Sequence, residues 1–143
     1  PEVVDKIYSY VDPGRITWVS LGSLRFPPET KDKIMKKYPH SDIIYSEMIT
    51  GHDGKMRYVR PLRVPVYKKI YKNLTSVENP PFIYFCMENE TVWQEVMGFA
   101  PESNAHLDYL FAKSLYARFD DVVRKKPKIE DYRNAPNLDG RDF

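Results

Sequence analysis

With 143 residues, 42% hydrophobic and 29% charged, the chain has the composition of a globular domain and the length to bury one core. Its 20 aromatic residues (11 Tyr, 7 Phe, 2 Trp) exclude a disordered composition, and 22 basic against 20 acidic residues leave a net charge of only +2. No apolar run approaches the roughly 20 residues needed to span a bilayer, and no basic-then-apolar leader opens the sequence, so the expected compartment is the cytoplasm.

Taken in chain order, Val4, Ile7, Tyr8 and Val11 recur at helical spacing and predict a helix over 2–10, stopped by Asp12-Pro13-Gly14. Arg15–Leu21 is rich in β-formers and predicts a buried strand, with Gly22–Phe26 as a loop after it. Pro27-Pro28 falls near the start of the next helix, where a missing amide costs nothing, and that helix runs to about Tyr38. Asp42–Ile49 predicts a second strand. His52-Asp53-Gly54-Lys55 is turn chemistry, and Met56–Arg60 can pair back across it, making a hairpin or a long loop. From about Arg63 the stripe Val66, Tyr67, Ile70, Tyr71 and Leu74 predicts a helix. Phe82–Met87 is a short apolar run of the kind a fully buried parallel strand shows, with Cys86 as a small buried apolar residue inside it. Asn89 can cap the following helix, whose Val92, Trp93, Val96 and Met97 face one way. A last helix is predicted over about Asn104–Val123, and residues 124–143 as a loosely ordered tail.

Helices alternating with strands imply parallel pairing in an α/β sheet or barrel, with residues 1–123 forming the packed part. Three or four strands suit part of a barrel better than a complete doubly wound domain. In such folds the chemistry gathers where strands end at their C-termini. That rule selects Ser20, Ser23 and Arg25, then Glu47 and the hairpin, then Glu88. The predicted cleft is lined by Arg25, Glu47, Arg57, Tyr58, Arg60 and Glu88.

The segment His52–Lys72 carries seven lysines and arginines against one acid, Asp53, so the rest of the chain is net acidic. Tyrosines are interleaved with this charge. A local basic stretch studded with aromatics is the footprint of a phosphate-bearing partner: the cations draw the backbone and a tyrosine face stacks on a base. Lys55 and Arg60 are the candidate phosphate contacts and Tyr58 the stacking residue, whereas Tyr67 and Tyr71 share the apolar stripe and belong to the core. The same run also fits a solvated hairpin and helix face. Glu88 has a competing role at the positive end of a helix dipole, and Glu47 fits either a cleft carboxylate or an ion-pair partner. One cysteine excludes a disulfide framework and a thiolate cluster. His40, His52 and His106 show no metal-ligand spacing and receive no role; no metal site is expected.

Three phrases, Trp18–Pro28 (WVSLGSLRFPP), Asp53–Pro61 (DGKMRYVRP) and Cys86–Trp93 (CMENETVW), together resemble the C-terminal part of the spore photoproduct lyase family of radical SAM enzymes. The likeness covers about residues 15–97. It implies the C-terminal part of a partial (β/α) barrel with an inserted basic β-hairpin, working with a [4Fe–4S] cluster and S-adenosylmethionine in radical repair of a thymine dimer in DNA. The family's C-x-x-x-C-x-x-C motif is absent, so both cofactors are expected on an N-terminal part against which this segment would pack. The resemblance gives Arg57 and Tyr58 a role in contacting ultraviolet-damaged DNA and gives Cys86 none. Two other readings stay open: a non-enzymatic nucleic-acid-binding α/β module, and a radical SAM enzyme acting on a small anion.

Overall fold

A computed structural model of the chain describes residues 2–133. Its helices are α1 (Glu2–Tyr10), α2 (Thr30–Lys37), α3 (Arg60–Leu74), α4 (Glu90–Met97), α5 (Asn104–Arg118) and α6 (Ile129–Arg133). Its strands are β1 (Trp18–Leu21), β2 (Arg25–Phe26), β3 (Met48–Thr50), β4 (Met56–Tyr58) and β5 (Phe82–Phe85). The architecture is mixed α/β, with a small parallel sheet beside a small antiparallel one. None of the described helices is long and apolar enough to cross a membrane.

The parallel sheet is β1 beside β5, in register from Trp18 opposite Phe82 to Leu21 opposite Phe85. Successive side chains point to opposite faces, so Trp18, Phe82 and Tyr84 share one face and Val19, Leu21, Ile83 and Phe85 the other. On the first face Phe111 of α5 packs edge-on against Trp18, Phe82 and Tyr84, with ring centroids 5.2, 5.5 and 4.8 Å away. The second face carries the core. Val64 and Tyr67 of α3 join Phe85 and, from α4, Val92 and Trp93; Val4 of α1 joins Leu74 and Ile83. The second face is covered, but on the first Trp18 stays 45% exposed, so the buried strand expected over Arg15–Leu21 starts only at Trp18 and is buried on one side.

The second sheet, of order β2-β4-β3, is antiparallel and holds the predicted hairpin arm. Here several expectations are corrected. Asp42–Ile49 is not a second parallel strand: Asp42–Ile44 is a 3-10 turn whose Ile43 amide is taken by the Ser41 hydroxyl, and only Met48–Thr50 is extended. That side-chain cap competes with strand formation at the start of the segment. The segment 22–26 is not wholly loop, because Arg25 and Phe26 pair with β4. Cys86 is exposed rather than buried; β5 ends at Phe85, and Met87 turns the chain with a left-handed φ of 66°. Val66 leaves the core stripe and is also exposed.

After Arg124 the chain is not without structure. Helix α6 lies against α5 through Tyr109 and Tyr132, and Lys125 pairs with Asp131. The rest of the expected tail, 134–143, lies outside the described residues.

Candidate nucleic-acid interface

β3 and β4 are joined by a turn over 51–55. The Gly51 amide donates to the Lys55 carbonyl at 2.9 Å and the Gly54 amide to the Gly51 carbonyl at 3.0 Å. Gly54 sits at φ 71°, a left-handed conformation that glycine adopts without a Cβ penalty. The Lys55 amide donates to Asp53 Oδ1, which curls the Asp53 carboxylate back over β4. There Arg25 of β2 lies directly opposite Arg57 of β4. Asp53 accepts from both, from Arg25 at 3.0 Å and from Arg57 at 2.5 Å. Partial desolvation pushes the Asp53 carboxyl upward, but the Arg57 and Lys55 hydrogen bonds and the two guanidinium charges outweigh it and hold the group below its ordinary value.

Arg57 lies flat across Gly51, where a Cβ would come within 2.5–2.7 Å of the guanidinium. Beside it is a cavity of about 350 Å³ lined by Arg57, Arg60, Arg63, His52, Gly51 and Asn89, together with Ile49 and Thr50. Arg60 and Arg63 stand in the first turn of α3, three residues apart and so on one helix face. Each arginine has a carboxylate outside the cavity lining. Arg60 shares Glu95 with Lys68, whose hydrogen bond, with both charges, pulls the Glu95 carboxyl below its usual range.

Arg63 is the fixed one. Its Nε and Nη2 donate to the two oxygens of Glu88 at 2.9 and 3.1 Å, and its Nη1 donates to the Tyr58 carbonyl at 2.9 Å. The Tyr67 hydroxyl donates to the same Glu88 at 3.0 Å. The side chains of Arg63 and Glu88 are only 8% and 3% exposed, so the pair is buried, with three Arg63 N–H groups bonded. Burial, and then the Glu88 charge, push the Tyr67 phenol up. This network ties the end of the hairpin to the loop after β5.

The structure brings Arg25, Arg57 and Arg60 to one region but not the whole predicted cleft. Tyr58 points to the other side of β4 from Arg57, as neighbours in a strand must. Its hydroxyl donates to the Ile43 carbonyl, and it lines a separate apolar cavity of about 380 Å³ with Leu21, Leu24, Leu62, Val66 and Tyr67. Arg57 and Tyr58 therefore do not act on the same face. Lys55 is exposed at the turn; Glu47 is exposed and contributes its carbonyl to the Val59 amide. Glu88 is buried against Arg63 and does not line the arginine cavity. Sequence reasoning passed over Asp53, His52 and Arg63. The spacing Arg57-x-x-Arg60-x-x-Arg63 is the signal that could have found the last.

Among the described residues no group of three or more His, Cys, Asp or Glu side chains could hold a metal ion, so this set does not fit an iron–sulfur cluster. No family model, curated protein or solved structure matches the chain.

Proposed function

We propose that the chain is the C-terminal, substrate-facing segment of a radical SAM lyase resembling spore photoproduct lyase, and that its arginine-bearing hairpin holds damaged DNA by the backbone. The observation that carries this reading is the gathering of Arg25, Arg57, Arg60 and Arg63 just beyond the C-terminal ends of a parallel strand pair. Ligands of parallel α/β sheets and barrels bind at that end. β1 leads into β2 within four residues, and Glu88, three residues past β5, grips the start of α3. A further support is the sheet itself. β1 and β5 each have one neighbour among the described residues, which leaves an outer edge on both for further strands of a partial barrel.

Arginine suits the task because its planar fork binds phosphate oxygens in pairs and stays charged at any working pH. The [4Fe–4S] cluster and S-adenosylmethionine would be held by residues outside this sequence. The chain's own part is to bind and orient the nucleic acid.

The test is duplex binding by fluorescence anisotropy over a salt series, with intact and ultraviolet-damaged DNA. Arg57→Ala should weaken binding and flatten the salt dependence by about one phosphate's worth of released counterions. Identical curves for Arg57→Ala and wild type would overturn the reading. Binding without preference for damage would shift it to a general nucleic-acid module.

A further inference from the structure

We infer that the cavity between the hairpin and the first turn of α3 is a binding site for one phosphate group. The inference builds on the nucleic-acid reading of this face and narrows it to one pocket and one chemical group.

Three guanidinium groups and an imidazole line the cavity, and no carboxylate does. The acids that pair with these arginines, Asp53, Glu88 and Glu95, do not line it and leave further N–H donors free. Arg57 Nε is buried and has no hydrogen-bond partner. A buried donor left unpaired is costly, and a small turn of the side chain that brought it to an acceptor in the cavity would remove that cost.

The helix beginning there points the same way. The first turn of α3 holds Arg60 and Arg63 with no acid, and its Val59 cap offers no side-chain acceptor. Cations at the positive end of a helix are unfavourable, and Glu88 and Glu95 offset Arg63 and Arg60 only from outside the cavity lining. A tetrahedral oxyanion would meet the donors of Arg57, the half-exposed Arg60 arm and His52, while Arg63, its charge already paired with Glu88, forms part of the wall. Arg60 is the adjustable member, because Lys68 continues to hold Glu95 when Arg60 turns inward.

A phosphomonoester and a backbone phosphodiester share this chemistry. The experiment begins with inorganic phosphate titrated into the isotope-labelled chain at constant ionic strength, followed by NMR. The expected result is saturable shifts at Arg57 Nε–H and His52, with none at Lys36 and Lys37 at the far end of α2. Arg60→Gln should weaken saturation by about tenfold, the cost of one charge-assisted hydrogen bond. Because the wild-type shift map stands without any variant, a poorly folded Arg60→Gln protein does not spoil the test. Shifts that grow without saturating, or that appear equally at Lys36 and Lys37, would overturn the inference.

Oligonucleotides with and without a 5′-phosphate then separate the sources. A marked preference for the phosphorylated end assigns the pocket to a monoester; equal binding, with both displaced by inorganic phosphate, assigns it to the backbone. Duplex binding that depends on Arg57 but ignores inorganic phosphate would sink the pocket and leave the nucleic-acid reading standing. Saturable phosphate binding without duplex binding would do the reverse.

Discussion

Arg25 and Arg57 occupy directly opposed positions on neighbouring antiparallel strands, and the Asp53 carboxylate bridges them. Like charges in that register repel. The bridge lets the fold keep two cations side by side and leaves one positive charge uncompensated. Asp53→Asn removes the bridging charge while keeping an acceptor for the Lys55 amide. The hairpin should become less stable, and duplex DNA should bind several-fold tighter at low salt, with a log–log salt slope steeper by about 0.9. Anisotropy over a salt series reads the slope directly.

The same carboxylate gives the hairpin an acid sensitivity of known sign. Its folded value lies below its unfolded one, so its contribution is complete above the unfolded value. That contribution is lost as pH falls through the folded value, on the acid side of the ordinary aspartate range. Thermal unfolding followed from pH 6 to pH 2.5 should show wild type and Asp53→Asn converging at the acid end. A constant gap between them across that range would contradict the assignment.

Gly51 offers a way to move Arg57 without touching its charge. A methyl group there would meet the guanidinium at 2.5–2.7 Å, and the soft response is for the arginine to swing away. Gly51→Ala should therefore change the melting temperature little and weaken duplex binding nearly as much as Arg57→Ala. If affinity stays at the wild-type level, Arg57 does not bind in its observed position.

Glu88 predicts a different phenotype. Removing it leaves Arg63 charged, buried and unpaired, which costs about 3–5 kcal/mol in comparable cases. Glu88→Ala should lower stability by an amount of that order in urea unfolding, and it should release the hairpin from the loop after β5. Backbone amide exchange at Tyr58 and Val59 should accelerate together with it.

Much of the scaffold is legible in the sequence because its signals are local. The helical stripe of α3 through Tyr67, Ile70, Tyr71 and Leu74, the apolar run of β5 and the Asn89 cap of α4 are each set by residues within a few positions of one another. The Asp53-Gly54 turn is equally local, and it appears where expected. Asp42–Ile49 misleads because its apolar pattern is overruled at one end by the hydroxyl of Ser41. Cys86 misleads because an apolar run does not mark where a strand stops.

The candidate site was only half visible for the same reason. Sequence alone determined that positive charge is concentrated over His52–Lys72, that a turn opens it, and that it runs from an extended arm into a helix-forming segment. Tertiary structure decided which charges meet. It set Arg25 opposite Arg57, put Tyr58 on the other side of β4, and matched Arg63 with Glu88, 25 residues away. Periodicity specifies the face of an element on which a side chain lies. Which distant element packs on that face depends on burying the shared core, and only the folded chain resolves it.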